Sequence, residues 1–187
     1  MTPSPTYRHL FTRLVDITTQ PVRTWPVVHG EKSSTNDILT TYTLPLIGVM
    51  TLLAFVVEMW QAQQFVFEMA LKKSTILFVS HFGVLFAAHH TIQWLDKQLN
   101  RHTEANNWLA VVAYPAGIIY LTVIVTLLFP KLAVVQFAAI YAIYPIRTGM
   151  GTRFNNSRSW VIAGGLLIML QALPLLIVRM AEPLFRL

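Results

Sequence analysis

Cysteine is absent from the 187-residue chain, which excludes disulfides, thiolate metal sites and cysteine nucleophiles. Charged residues make up only 12% of the sequence, about half the fraction that soluble domains carry. Gly-x-Ser-x-Gly, His-Glu-x-x-His and paired-carboxylate motifs are also absent. The segment "GMGTRF" at 149–154 lacks the further glycine or Lys-Ser/Thr that a phosphate-binding loop needs. We therefore predict a protein that is not an enzyme, with no cofactor, no metal and no nucleic-acid partner.

Hydrophobic residues are abundant instead, at 55% of the chain, and the mean hydropathy is +0.54. A soluble domain of this size would need polar surface that this chain lacks. Five apolar segments have about the length of a transmembrane helix, the fourth being short: 42–60, 74–95, 108–129, 132–146 and 160–178. We predict an all-α fold, a polytopic membrane helix bundle of about five transmembrane helices in residues 42–187, preceded by an N-terminal segment of residues 1–41.

Aromatic residues lie near the ends of these segments, where amphipathic rings prefer the headgroup level: Tyr42, Trp60, Trp94, Trp108 and Trp160. Small residues four positions apart predict close helix packing in two spans, at Gly83 and Ala87 and at Ala113 and Gly117.

Lysine and arginine are distributed unevenly between the two sides of such a bundle. With a cytoplasmic N-terminus, nine of the 14 basic residues fall on the cytoplasmic side and five on the other. The positive-inside rule then favours a cytoplasmic N-terminus and an outside C-terminus. The first 41 residues hold no apolar core followed by a small-residue cleavage site, so no cleavable signal peptide is expected.

The segment "TYRHLFTRLVDITT" at 6–19 has helical periodicity but is too short and too polar to span a membrane. An amphipathic helix with basic residues beside an apolar face suits the membrane interface. We predict an interfacial helix, ended by Pro21 and followed by a shorter apolar piece. The predicted membrane-interface anchors are Phe11, Leu14 and Trp25. The alternative is that this helix docks on a soluble partner or on the bundle itself.

The series formed by the amphipathic helix, Pro21-x-x-Thr24-Trp25, a polar run and "YTLPL" at 42–46 resembles the Yip domain family (Ypt-interacting-protein type) in its bacterial branch. The second span with "FVSHFGVLFAA" and the fourth with "FAAIYAIYPIRTGMG" are similar to that family too. The resemblance covers nearly the whole chain and implies a five-span bundle with a cytoplasmic N-terminus. Its bacterial branch implies a location in a bacterial cytoplasmic (inner) membrane. Eukaryotic members of the family are implicated in vesicle traffic through Rab-type GTPases. They carry an Asp-Leu-Tyr-Gly-Pro element, which this chain lacks. The GTPase role is therefore not carried over.

Ionisable residues inside spans are functional candidates by default. They form a candidate intramembrane polar cluster here: Glu58, His81, His89 and His90. His81 and His89 lie about 80° apart around a helix and about 12 Å along it, so a regular helix does not let them chelate one ion. We expect neutral, hydrogen-bonded histidines, with a pair between Glu58 and His81 or a Glu58 that reaches the headgroups. The alternative is a proton-coupled or metal site.

A basic cytoplasmic loop is expected after the fourth span, formed by Arg147, Arg153 and Arg158. Its predicted role is topology and contact with anionic headgroups, and the alternative is a specific ligand or partner site. The leading hypothesis for the whole chain is a non-enzymatic membrane scaffold or accessory subunit. Its partners would be membrane lipids, other membrane proteins or a second copy of the chain. A small transporter or channel that uses the intramembrane histidines is the alternative, and a membrane enzyme is a third hypothesis.

Overall fold

A computed structural model describes residues 6–31, 33–61, 67–100, 107–151, 154–181 and 183. The structure is 94% helical, and no strand occurs among those residues. The α-helices follow in chain order: α1 (Thr6–Thr19), α2 (Pro21–Gly30), α3 (Thr35–Ile38), α4 (Leu44–Gln61), α5 (Phe67–Asn100), α6 (Trp108–Leu128), α7 (Ile143–Gly149) and α8 (Asn156–Ala181). A short π-helical segment, Leu39–Thr43, joins α3 to α4, and a 3₁₀ segment, Pro130–Ala142, precedes α7.

Five helical stretches of the described chain are long and apolar enough to cross a membrane. They are Thr35–Trp60, Phe67–Leu99, Trp108–Leu128, Pro130–Gly149 and Asn156–Ala181. The predicted all-α bundle with five spans is therefore confirmed, and the chain is an integral, multi-pass membrane protein. Most of these helices are longer than the apolar segments that predicted them. In α5, for example, polar residues on both sides of the apolar segment 74–95 continue the helix.

The third span, α6, occupies the centre of the bundle. Its side chains from Trp108 to Tyr120 are all buried, and the other four spans and α1 surround it. A Cβ placed on Gly117 would collide with the Tyr42 hydroxyl and lie 2.8 Å from Leu14 Cδ1. Close packing at Ala113 and Gly117 is therefore as predicted, since only glycine leaves room for both neighbours.

The small-residue pair of the second span behaves differently. A Cβ placed on Gly83 would meet no heavy atom within 4 Å, and Ala87 is exposed. The prediction of close packing at this pair was wrong, because this side of α5 faces outward. Large apolar side chains are exposed on the same outer surface of the bundle, where lipid tails are their natural solvent: Leu52, Val79, Val134, Phe137 and Ile168.

Candidate functional site

One end of the bundle, here called the N-terminal face, gathers α1, α2, α7, the end of α5 and the starts of α6 and α8. α1 packs on α6, and α2 packs on α7. Hydrogen bonds add further links to this face. Tyr141 donates from its hydroxyl to the Thr18 carbonyl at 2.7 Å, and Asn107 donates from Nδ2 to the Ser33 carbonyl at 2.9 Å. The N-terminal helices are thus a fixed part of the fold.

The inner side of α1 is its face of Leu10, Leu14 and Ile17, all buried against the bundle. This spacing of four and three residues forms one stripe along a helix. For this stripe the alternative hypothesis is correct: the helix docks on the bundle. Leu14 was predicted as a lipid anchor, and that interpretation was wrong because its side chain contacts protein beside Gly117. Phe11, which is 62% exposed, stays a predicted interface anchor.

Arg13 lies in the middle of that buried stripe and is only 7% exposed. Its Nη2 donates to both carboxylate oxygens of Glu31, at 2.5 and 2.7 Å. The guanidinium carbon also lies 5.5 Å from the centre of the Tyr114 ring. A buried arginine needs such a partner, because an unpaired charge there would carry an uncompensated desolvation cost. The pair therefore ties α1 to the end of α2.

Trp25 was also predicted as a membrane-interface anchor. That interpretation was wrong, because its ring is only 2% exposed and is buried in protein rather than in headgroups. Its Nε1 donates to the Pro145 carbonyl at 2.8 Å. The ring stacks on His29 at 5.4 Å between centres, and His29 Nε2 donates to the Gly149 carbonyl at 3.0 Å. A Cβ on Gly149 would lie 2.5 Å from Trp25 Cζ2, so the ring needs glycine beneath it. Trp25 therefore anchors α2 to α7.

Tyr42 was predicted to lie at the headgroup level, and that prediction was wrong. Its ring is buried, contacts the Tyr114 ring edge-on at 4.9 Å between centres and donates from its hydroxyl to the Tyr114 carbonyl at 2.8 Å. The residue lies in the π-helical segment, where the wider turn changes which side chains face inward. Trp108 is buried as well, whereas Trp60, Trp94 and Trp160 are exposed near helix ends as predicted.

The outer side of α1 and α2 carries apolar side chains among polar ones, and no part of the described chain covers them. Four large side chains are more than half exposed there: Phe11, Val15, Val22 and Val27. Arg8 and Arg23 are exposed on the same two helices. The outer surface of Phe11, Val15, Val22 and Val27 has the composition of a membrane-interface or protein-docking surface.

The arginines of the predicted basic loop lie in different environments. Arg147 is held by the protein: its Nη2 donates to Asn156 Oδ1 at 2.5 Å, and its guanidinium carbon lies 4.7 Å from the centre of the Trp160 ring. Arg158 is exposed on the first turn of α8 and has no ion-pair partner among the described residues. Arg153 lies outside the described residues.

The predicted polar cluster of Glu58 and three histidines does not assemble into one site. Glu58 pairs with Lys73, with Nζ and Oε1 2.5 Å apart, so of the two alternatives for Glu58 the pair with His81 was wrong. Lys73 is the nearer partner because α4 and α5 are consecutive antiparallel helices and both residues lie close to their junction. In the described residues no group of three metal-ligating side chains comes together.

The histidines of α5 occupy separate environments. His81 is buried, its Nδ1 donates to the Leu77 carbonyl at 2.9 Å, and its ring meets Tyr120 edge-on at 5.8 Å between centres. His89 and His90 are neighbours with ring centres 5.4 Å apart, and only His90 is exposed. The rings therefore lie in separate contacts along α5.

Comparison with protein-family models, curated proteins and solved structures finds no match to this chain.

Proposed function

We propose that this chain is a non-enzymatic membrane protein of Yip type, a scaffold or accessory subunit that binds other membrane proteins or lipids. In this proposal it resides in the bacterial inner membrane with its N-terminus in the cytoplasm. The arginine and lysine distribution supports that orientation, and the Pro-x-x-Thr-Trp element supports the family.

The outer surface of Phe11, Val15, Val22 and Val27 is the observation that carries the proposal. α1 and α2 bury one side in the bundle, and they hold these four apolar side chains outward. A surface presented on a rigid support costs little conformational entropy when it binds. An interaction platform is the function that such an arrangement serves best.

Because the chain contains no cysteine, a single cysteine introduced into this surface can be labelled specifically. Cysteines introduced singly for Phe11, Val15, Val22 or Val27 should react slowly with an aqueous thiol reagent in native membranes. Cysteines in place of Arg8 and Arg23, exposed on the same helices, are the matched controls and should react fast. Equal rates at both sets of positions would show a merely solvated surface and would overturn the proposal.

A second measurement identifies what covers the surface. A thiol-reactive benzophenone attached at the slow positions and activated by light should produce one adduct of defined mass, either with a membrane protein or with lipid. The transporter alternative predicts a different result, namely a rise in melting temperature with a particular small solute. It draws little support from the side chains, because Glu58, His81 and the His89–His90 pair lie in separate contacts.

A further inference from the structure

The contacts of α1 lie well inside the length of two membrane spans, which fixes the depth of this helix. Leu14 packs beside Gly117, which lies nine residues beyond the first residue of the third span, about 13 Å along α6. Tyr141, whose hydroxyl donates to the end of α1, lies eight residues before Gly149, where the fourth span ends. Each half of a bilayer's hydrocarbon core is about 15 Å thick. α1 therefore packs below the ends of both spans, in the leaflet on the side of the N-terminal face.

Two contacts fix which side of α1 faces the centre of the bilayer. Leu14 packs beside Gly117, whereas Arg13 binds Glu31 at the end of α2. α2 itself packs on α7, at the end of the fourth span. Arg13 also lies on the ring of Tyr114, three residues nearer the start of α6 than Gly117. The Leu14 side of α1 is therefore the deeper one, and the Arg13 side is directed to the membrane surface.

The exposed side chains of α1 are sorted in the same way. At about 100° per residue, Phe11 and Val15 follow Leu14 around the helix by about 60° and 100°, away from Arg13. Asp16 is exposed about 60° beyond Arg13 in the opposite direction. The apolar exposed side chains thus lie on the deep side of the helix, and the exposed carboxylate lies on the side of the membrane surface.

This placement favours lipid over a protein as the occupant of the deep side. A protein partner would have to enter the bilayer to reach Phe11 and Val15, whereas acyl chains are already present at that depth and are the natural solvent of exposed apolar side chains there. Arg8 lies on the same side at the start of α1 and is exposed. Its long side chain suits this position, because an arginine keeps its methylenes on apolar surface and extends its guanidinium to the headgroups.

We infer that Phe11 and Val15 contact the acyl chains of the leaflet on the side of the N-terminal face. In this arrangement α1 is a half-sunk helix, docked on the bundle by one side and solvated by lipid tails on the next. The inference rests on the proposed function and deepens it: it assigns lipid to the α1 part of the outer surface and leaves Val22 and Val27 of α2 to other partners.

The test uses the purified full chain with one introduced cysteine that carries a nitroxide, in vesicles of phosphatidylethanolamine and phosphatidylglycerol. Collisions with oxygen report an acyl environment, and collisions with a water-soluble nickel complex report an aqueous one. Neighbouring exposed positions supply matched pairs, Phe11→Cys with Thr12→Cys and Val15→Cys with Asp16→Cys. The oxygen-to-nickel ratio should be higher at 11 and 15 than at 12 and 16. It should approach the ratio at Phe137→Cys, whose native side chain is 71% exposed on the fourth span.

Two results would overturn the inference. Nickel collisions at 11 and 15 as frequent as those at 12 and 16 would place these side chains in water. Few collisions with either reagent at 11 and 15 would instead assign this side of α1 to a second copy of the chain, the one protein present in the vesicles. The thiol reaction in native membranes tests the proposed function separately, because it also detects a protein partner that the purified vesicles lack.

Discussion

Trp25→Ala is the change that best tests how the N-terminal face is held. The substitution removes a ring that is 2% exposed, its hydrogen bond to the Pro145 carbonyl and its contact with Gly149. Replacing a buried tryptophan by alanine typically costs about 3–5 kcal/mol. We expect α2 to detach from α7 while the five spans stay inserted, because their own apolar runs determine insertion.

The magnitude follows from treating detachment as a local opening. A loss of about 3 kcal/mol raises the population of the open form roughly 100-fold. Amide hydrogen exchange in the peptide 21–31 should accelerate by that factor, and amides of α6 should keep their rates. Trp25→Phe keeps a ring but loses the N–H donor, which costs about 1 kcal/mol and predicts roughly fivefold faster exchange.

Phe11→Ala is the matched control for this experiment. Its ring is 62% exposed, so the same truncation should change exchange in 21–31 by about twofold or less. Hydrogen exchange followed by mass spectrometry in lipid nanodiscs measures all three variants. If Trp25→Ala accelerates exchange no more than Phe11→Ala does, the tryptophan does not hold α2, and the docking argument is refuted.

Three further predictions test the core, the histidines and the orientation. Gly117→Ala should lower the melting temperature, because overpacking against Tyr42 costs about 1–3 kcal/mol, whereas Gly83→Ala, with open space around it, should not; equal melting temperatures would contradict this. Replacing His81, His89 and His90 together with glutamine should leave folding and metal content unchanged. Loss of a stoichiometric metal from this variant would count against a structural role for the three histidines. A reporter that works only in the cytoplasm, fused after Leu187, should be silent, and activity would contradict an outside C-terminus.

The spans were predictable from the sequence because their signal is local. An apolar run of sufficient length must be a helix in a bilayer, since every backbone N–H and C=O needs a partner within the segment. The predicted break between the third and fourth spans, at residues 130–131, is close to the end of α6 at Leu128. The 3₁₀ geometry of Pro130–Ala142 was not predictable, because apolar content does not distinguish one helix type from another.

The burial of Trp25 and Leu14 could not be predicted from the sequence pattern, for a different reason. Helical periodicity identifies an apolar face, but a lipid interface and a protein surface are both apolar, so the same face suits either. Choosing between them requires knowing that Pro145 and Gly149, 120 residues and more away in sequence, offer a carbonyl and an open space at the right place. That juxtaposition exists only in the assembled bundle.

Arg13 shows where a closer reading of the same pattern would have succeeded. It lies three residues after Leu10 and four before Ile17, so it belongs to the buried stripe of α1 and not to the polar side. An arginine within an apolar stripe demands a counter-charge, and Glu31 is the acid that follows the two N-terminal helices. The sequence thus contains the case for docking on the bundle: a helix that lay in headgroups alone would have no need to place a positive charge at the centre of its apolar side.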